Sequence, residues 1–209
     1  MDSFAAEGFF GALVPDAHGG QGYDAVSFGL LNEALGAACS SVRSMLTVHS
    51  MVAHAVTRWG SVAVRERWLP ALASGKRVGA FALTEEGSGS DAGNLDTRAE
   101  RVEGGYLLTG EKKWITYGQR ADVFLVFARS EGEAAAFLVE RDAPGLEVVP
   151  INGVLGTRAS MLAELRLTAC RVPDSALIAA CPQWRRAHWT SAATAWRGAV
   201  WAFSPLRCD

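Results

Sequence analysis

The spacing of apolar residues changes near residue 77, and this change divides the chain into two parts. Up to that point apolar residues recur at three- and four-residue intervals, which is typical of helices with one buried face. From residue 78 they alternate with polar residues or form short runs between turn residues, which is typical of strands. We therefore predict an α+β fold, with an N-terminal helical bundle over residues 1–77 followed by a small antiparallel β-barrel or sandwich over residues 78–178.

The first long helix is predicted over about residues 25–38. Asp24 or Ser27 can cap its N-terminus, because both side chains accept hydrogen bonds from free backbone N–H groups. Its apolar residues recur at helical spacing and predict one buried face, formed by Val26, Leu30, Leu31 and Leu35.

Two further helices are predicted before the strands begin. The first of them covers about residues 41–58, starts from Ser40 or Ser41, and ends at Gly60 as the residue just beyond the helix. The next starts at Ser61 and ends at Gly75. The predicted buried face of helix 41–58 is formed by Val42, Met45, Leu46, His49, Val52, Ala53 and Val56.

The second part contains short strands at close spacing. Gly104-Gly105 predicts a tight hairpin between strands at Thr97–Glu103 and Tyr106–Thr109. Gly110-Glu111 predicts a second turn, which would separate Tyr106–Thr109 from another strand at Lys112–Tyr117. The remaining predicted strands are Val78–Thr84, Asp122–Ala128, Ala134–Val139, Leu146–Val149 and Leu162–Leu167.

Two motifs in this part carry chemistry. The first is Phe81–Asp91, an apolar strand that ends in the glycine- and serine-rich loop TEEGSGSD. Gly87 and Gly89 allow close backbone approach, so the loop can form a concavity of N–H groups and hydroxyls that suits an anion such as a pyrophosphate. The second motif is Lys113-Trp114-Ile115-Thr116. Neither a GxGxxG fingerprint nor a P-loop is present, which disfavours a nicotinamide-binding Rossmann site and an NTPase.

Together these motifs resemble the middle domain of the acyl-CoA dehydrogenase family of flavoproteins, which carries an LTE-x-x-x-GSD segment and a K-x-W-I-T segment. The resemblance runs from about Phe9 to Leu177. Further segments similar to the family's motifs are Pro15–Asp24, Leu69–Lys76, Leu155–Ser160 and Val172-Pro173.

The resemblance implies FAD as the cofactor and assigns roles to the two motifs. Thr84 would donate to the pyrimidine side of the flavin, Trp114 would cover one ring face, and Thr116 would lie near N5. Ser90 would lie where the pyrophosphate and the thioester arm of the substrate pass, so it is also the predicted substrate-binding residue. The full set of predicted cofactor-binding residues is Phe81, Leu83, Thr84, Gly89, Ser90, Trp114, Ile115 and Thr116. We expect the two motifs to converge on one groove.

The reaction implied by the family is dehydrogenation of an acyl thioester. A carboxylate base removes the α-proton while the β-hydrogen leaves as hydride to the flavin. The resemblance places that base in a C-terminal helical bundle, which the predicted fold lacks, so no catalytic residue is assigned and no turnover by the chain alone is expected. Glu85 and Glu86 are interpreted as solvated loop acids.

The carrier of the acyl group is left open between coenzyme A and an acyl-carrier protein. Ala38–Thr47 resembles the branch that acts on carrier-protein-bound hydroxymalonyl or methoxymalonyl extender units for polyketides. Two other readings remain: a flavin monooxygenase of the same fold, and an inactive binding module without the base. The electron acceptor is open, and the homo-oligomer typical of the family is doubtful without the bundle.

Composition narrows the remaining choices. The net charge of −2 favours neither nucleic acid nor a membrane surface as partner. His49 and His54 lie five residues apart and are expected at the edge of the core and at the surface, so no metal site is predicted. We expect a cytoplasmic protein. Residues 179–209 contain four of the seven tryptophans and no acid before Asp209, and we hypothesise that they are a non-native continuation of the chain.

Overall fold

The computed structural model describes residues 2–89 and 94–180, and it divides into helices followed by one sheet. The helices are α1 (Asp2–Ala6), α2 (Ala25–Ala38), α3 (Ser40–Trp59) and α4 (Val62–Ala73). The strands are β1 (Gly79–Ala82), β2 (Arg98–Val102), β3 (Gly105–Ile115), β4 (Val123–Ser130), β5 (Glu133–Glu140), β6 (Leu146–Pro150), β7 (Ala163–Pro173) and β8 (Leu177–Ala180). The predicted α+β class is confirmed.

Helix α2 has the predicted bounds but not the predicted buried face. The Asp24 side chain caps it by accepting from the Ser27 N–H at 2.7 Å. Val26 and Leu30, predicted to be buried, are both 62% exposed, whereas Phe28 and Asn32 are buried. Asn32 can face α3 because its Oδ1 accepts from the Thr47 hydroxyl and its Nδ2 donates to the Phe28 carbonyl. A satisfied amide thus occupies the interface that a count of apolar residues would give to leucines.

Helix α3 confirms the most regular stripe of the sequence. Of its predicted face, all but the half-buried Val42 are buried. Its N-cap is Cys39 without a side-chain hydrogen bond, so the prediction of a serine cap is wrong. Gly60 does end the helix, but with an extended φ of −63° and ψ of 143°, and a Cβ there would lie 2.5 Å from the Val56 carbonyl oxygen. Ser61 caps α4 as predicted.

The eight strands form one mostly antiparallel sheet with the order β6-β7-β3-β2-β4-β5-β8, and β1 pairs in parallel with β4. The Gly104-Gly105 hairpin is confirmed, with Val102 opposite Gly105. The predicted second turn at Gly110-Glu111 is wrong, because β3 runs without interruption from Gly105 to Ile115 and pairs with β7 on both sides of Gly110.

The sheet curls around a core of its own. The rings of Tyr106 on β3 and Phe137 on β5 lie 5.0 Å apart, although β2 and β4 separate these strands in the sheet order. Contact between non-neighbouring strands requires the sheet to bend towards itself, as in a small barrel.

A second core joins the sheet to the helices. Strand β4 is buried on both faces: Phe124 and Val126 point into the curled sheet, and Leu125 and Phe127 pack in the cluster that contains Val52 of α3 and Leu69 of α4. His49 of α3, predicted at the edge of the core, is completely buried and accepts from the Gly79 N–H at Nδ1. His54, predicted at the surface, is half-buried.

The far end of the described chain is strand β8, in which Ala179 and Ala180 pair with Ala136 and Ala135 of β5. The hypothesis of a non-native continuation falls mainly on residues 181–209, which lie outside the described residues. Within the described part of the chain, no helix combines the length and apolar character needed to cross a membrane.

Candidate functional site

The two sequence motifs meet where β1 ends. Strand β1 leads into Leu83 and Thr84, and the backbone N–H of Lys113 donates to the Thr84 carbonyl at 2.8 Å. The two motifs are therefore in direct backbone contact, and their convergence on one groove stays a prediction. The loop closes on itself through a second backbone bond, from the Glu85 N–H to the Ser88 carbonyl at 3.0 Å.

A β-bulge in β3 turns the second motif out of the sheet. Lys112 pairs with Leu165 and Ile115 pairs with Ala163, so three steps on β3 oppose two steps on β7. Trp114 lies in this bulge with a positive φ of 59°, and its side chain is 56% exposed. Bulges of this kind re-aim a side chain away from the strand's regular alternation. Among the described residues the other two tryptophans, Trp59 and Trp68, are half-buried or buried.

A buried ion pair lies directly behind this junction. Nζ of Lys112 donates to Oε1 of Glu85 at 2.6 Å and to the Leu83 carbonyl at 3.1 Å. The side chains of Lys112 and Glu85 are 0% and 3% exposed. The interpretation of Glu85 as a solvated acid is wrong, because Glu85 is the anchor of its loop. Glu86 fits that interpretation, with a side chain that is 81% exposed and an ion pair to Lys113.

The Glu85 carboxylate is held by four hydrogen bonds. Besides Lys112, it accepts from the Asp96 N–H at 2.6 Å, the Thr97 N–H at 3.0 Å and the Thr97 hydroxyl at 2.6 Å. Burial by itself raises the pKa of the Glu85 carboxyl, but the hydrogen bonds from Lys112, Thr97 and Asp96 outweigh burial and hold that pKa below its usual value. Burial lowers the pKa of the Lys112 ammonium to about 8 despite the opposing effect of Glu85, so the pair is ionic at neutral pH.

A third segment borders the second motif. The backbone N–H of Tyr117 donates to the Ser160 carbonyl at 2.7 Å, and the Gln119 N–H donates to the Met161 carbonyl at 3.2 Å. This segment, Thr157–Met161, begins and ends with residues at positive φ. The sequence similar to the family's G-x-R-A-S motif thus lies beside the end of the K-x-W-I-T motif.

The structure distributes the remaining predicted site residues between core and surface. Phe81 and Leu83 are half-buried, and the Phe81 ring packs against Phe127 at 4.9 Å. Ile115 is buried in the core of the curled sheet, so its side chain does not reach the surface. Gly89 is exposed, Thr84 and Thr116 are half-buried, and Ser90 lies outside the described residues. The binding roles of these residues stay predictions.

Lys112 and Glu85 are the site residues that the sequence interpretation missed, and a signal for Lys112 was available. Tyr106, Leu108 and Lys112 share the inward parity of one strand, and a lysine at an inward position needs a buried partner. Placing a turn at Gly110 broke that parity, so the inward direction of Lys112 was not recognised.

The arrangement suits a planar aromatic group with an anionic tail. Trp114 offers an exposed indole face, and the backbone is fixed by hydrogen bonds before it, at Lys113, and after it, at Tyr117. The hydroxyls of Thr84 and Thr116 belong to the two segments that the Lys113 amide joins. The loop that follows Thr84 is anchored by Glu85 at its base and stays exposed at Gly89, where a Cβ would meet nothing within 4 Å. These residues therefore fit a flavin with its pyrophosphate.

Two family models match the chain. The model described as Acyl-CoA dehydrogenase, N-terminal domain, matches residues 1–76, and the model described as Acyl-CoA dehydrogenase, middle domain, matches residues 80–170. A probable acyl-CoA dehydrogenase of Bacillus subtilis (strain 168) is 39% identical over 174 residues, which make up 82% of this chain and 29% of the relative.

Solved structures agree with these matches. Glutaryl-CoA dehydrogenase from Mycobacterium smegmatis in complex with FADH2 superposes with a TM-score of 0.83 at 36% identity, covering 88% of this chain and 49% of that one. FkbI, described as serving biosynthesis of the methoxymalonyl extender unit of the Fk520 polyketide immunosuppressant, superposes with a TM-score of 0.82 at 33% identity, covering 89% and 53%.

The chain thus spans about half or less of the length of these relatives. The bound FADH2 of the M. smegmatis structure confirms the flavin expected of such proteins. The helices followed by a mostly antiparallel sheet, the junction of the two motifs and both family matches lead to one conclusion: this chain belongs to the acyl-CoA dehydrogenase family.

Proposed function

We propose that this chain forms the flavin-binding part of an FAD-dependent acyl-thioester dehydrogenase. The observation that carries the proposal is the hydrogen bond from the Lys113 N–H to the Thr84 carbonyl, which joins the two motifs and places the exposed Trp114 next to the loop after β1. The bound FAD would supply the acceptor for a hydride leaving the β-carbon of the substrate. This chain would supply the surface that binds and orients the cofactor.

Each motif residue has a role that its surroundings allow. Trp114 would cover one face of the isoalloxazine ring, since an exposed indole gains large apolar contact from a flat ring. The Thr84 and Thr116 hydroxyls would donate to the ring edge, where donors stabilise the charge of the reduced cofactor. Gly89 and Ser90 would hold the pyrophosphate, and Ser90 would also face the thioester arm of the substrate.

Three predicted residues would support the site from behind. The side chains of Phe81, Leu83 and Ile115 pack into the two cores, so they would fix the backbone that the cofactor contacts. Only the backbone of Ile115 would be available to the flavin, because its side chain is buried.

The proposed substrate is an acyl thioester on a phosphopantetheine arm, carried by an acyl-carrier protein. This arm is common to coenzyme A and carrier proteins, so the motifs do not separate the two. The carrier-protein assignment is supported by the resemblance of Ala38–Thr47, at the α2–α3 junction, and by the similarity to FkbI, which is described as serving biosynthesis of a methoxymalonyl extender unit.

A titration of the flavin-free protein with FAD tests the proposal. Stacking on Trp114 should quench flavin fluorescence, and Trp114→Ala should restore the fluorescence and raise the FAD dissociation constant roughly tenfold. Trp59→Phe, on α3, is the matched control and should bind as the original chain does. Absence of FAD binding, or equal binding by the Trp114→Ala variant, would refute the assignment.

The carrier is tested on the FAD-loaded protein without oxygen. Addition of an acyl-carrier-protein thioester should perturb the visible flavin spectrum at lower concentration than the same acyl group on coenzyme A. The opposite order would assign the chain to the coenzyme A branch.

A further inference from the structure

The buried Lys112–Glu85 pair contacts both motifs at once. Lys112 is the last residue of β3 in regular register with β7 before the bulge, and its Nζ reaches back to the Leu83 carbonyl on the other motif. Glu85 follows Thr84 directly, and Lys113 follows Lys112. The ion pair therefore joins β3 to the segment after β1, as does the hydrogen bond between the Lys113 N–H and the Thr84 carbonyl, one residue away on each side.

The pair also fixes the far side of the loop. Oε2 of Glu85 accepts from the Asp96 N–H, and Oε1 accepts from the Thr97 N–H and hydroxyl, which tie the segment after the loop to its base. The Glu85 carboxylate thus joins the start of the loop, at Glu85 itself, to the segment that follows it, at Asp96 and Thr97. The glycine- and serine-rich loop of the first motif, predicted to bind the pyrophosphate, starts at this anchor.

Stability alone does not account for this pair. Moving two charges out of water is unfavourable, and well-packed apolar residues of similar volume are often as stabilising as a buried pair. An apolar pair cannot fix the relative positions of the backbone segments around it. The five hydrogen bonds made by these two side chains do so, whereas packing alone allows the segments more movement.

We propose that Lys112 and Glu85 are positioning residues that hold Trp114 and the loop after β1 in the geometry that accepts the flavin. They do not touch the flavin themselves, since both side chains are enclosed by protein. Their effect passes through the Leu83 carbonyl, the Lys113 amide and the two ends of the loop. The predicted effect on FAD binding rests on the proposed flavin function, whereas the predicted effect on the positions of Trp114 and the loop does not.

The main test compares Lys112→Met with a variant of similar destabilisation far from the motifs. Met keeps the length of the lysine stem and removes the ammonium group. Val172→Ala is the control, because Val172 is buried and pairs with Tyr106 at the other end of β3. Both proteins are studied in full length, well below their unfolding temperatures. The readouts are amide hydrogen exchange at Lys113 without flavin, FAD affinity, and the near-UV and visible circular dichroism of bound flavin.

We expect Lys112→Met to speed exchange at the Lys113 amide, to raise the FAD dissociation constant on the order of tenfold, and to change the dichroism of bound flavin. Val172→Ala should change none of the three. If both variants lose FAD affinity in proportion to their loss of unfolding temperature, or if the Lys113 amide exchanges at its original rate in Lys112→Met, the pair has no positioning role.

A milder variant covers the case in which Lys112→Met does not fold. Thr97→Val removes one hydrogen bond to Glu85 and leaves both charges paired. It should show the same three changes at smaller size, and an unchanged Lys113 amide with unchanged dichroism would overturn the proposal. If the original chain binds no FAD, the proposed function fails, and the positioning role is then decided by exchange at Lys113 alone.

Discussion

A methyl group added at Gly110 would lie 2.7 Å from the Cα and 2.6 Å from the hydroxyl oxygen of Thr97. Gly110 also has a φ of 150°, a backbone angle that residues other than glycine rarely adopt. The backbone at Thr97, just before β2, therefore approaches β3 at a point where only glycine fits. Thr97 is the residue whose amide and hydroxyl both donate to Glu85, so this close approach helps to place the loop anchor.

We predict that Gly110→Ala destabilises the flavin-free protein by about 2–4 kcal/mol, because it combines an unfavourable φ with contacts that the Thr97 backbone cannot relieve. The free energy of unfolding from urea denaturation measures the effect. The variant should also bind FAD more weakly than its stability loss explains, because Thr97 must move away from Glu85.

Gly132→Ala is the matched control for this substitution. Gly132 has a φ of 85° in the turn between β4 and β5, and a Cβ there would meet nothing within 4 Å. Gly132→Ala should lower the free energy of unfolding only by the cost of the unfavourable φ, about 1 kcal/mol, and should leave FAD binding unchanged. Equal losses for the two variants would show that the contact with Thr97 has no energetic weight.

Local sequence patterns predicted helices and turns correctly where a residue type is typical of only one kind of structure. Asp24 caps α2, Gly104-Gly105 forms a tight hairpin, and the stripe of α3 is buried. Gly110 shows the limit, since a glycine in a strand can mark a turn or a close approach of two backbones. The partner strand decides between them, and the pairing of β3 with β2 is not written in the local sequence.

The predictions of the buried face of α2 and of a solvated Glu85 were wrong for a related reason. Val26 and Leu30 are apolar but exposed, while Asn32 is buried because Thr47 satisfies its amide. Glu85 lies in a loop rich in glycine and serine, where acids are usually solvated, and its partner Lys112 is 27 residues away in sequence. Spacing within an element cannot reveal a partner on another strand.

Trp114 combines a strained backbone with an exposed side chain, and this combination predicts a separation of stability from binding. Trp114→Gly should leave the flavin-free stability unchanged or raise it by up to about 1 kcal/mol, because it relieves a positive φ at little loss of buried area. The same variant should lose flavin quenching. Unfolding curves of the flavin-free protein together with FAD titration measure both effects.

Trp68→Ala provides the contrast for this prediction. Trp68 is buried on α4 in the core between helices and sheet, so its truncation should lower the free energy of unfolding by about 3–5 kcal/mol. A loss of that size for Trp114→Gly would mean that the indole packs against the protein and is not free to cover a flavin.

His49 predicts how the stability of the chain depends on pH. Its imidazole is buried against the Phe10 ring, and Nδ1 accepts from the Gly79 N–H, which requires the neutral ring. Burial lowers the pKa of His49 from 6.5 to about 4, although nearby carbonyls of Phe10 and Leu72 oppose the shift. Between these values the unfolded chain binds a proton that the folded chain does not.

Stability from this group is therefore complete above pH 6.5 and is lost as the pH falls towards 4. From the two pKa values, lowering the pH from 7.5 to 5 should reduce the free energy of unfolding by about 2 kcal/mol. Burial also lowers the pKa of His54, which adds a change of the same sign. Urea denaturation of the flavin-free protein at both pH values measures the difference.

His49→Asn removes the titrating group while its Oδ1 can still accept from Gly79. Its unfolding free energy should be lower at pH 7.5, but most of the difference between the two pH values should disappear. Val52→Ala creates a cavity on the same helix beside Gly79. It should lower the free energy of unfolding at both pH values and leave the difference between them unchanged. If His49→Asn keeps the original pH dependence, the acid sensitivity arises elsewhere, and the imidazole is not held neutral between the helices and β1.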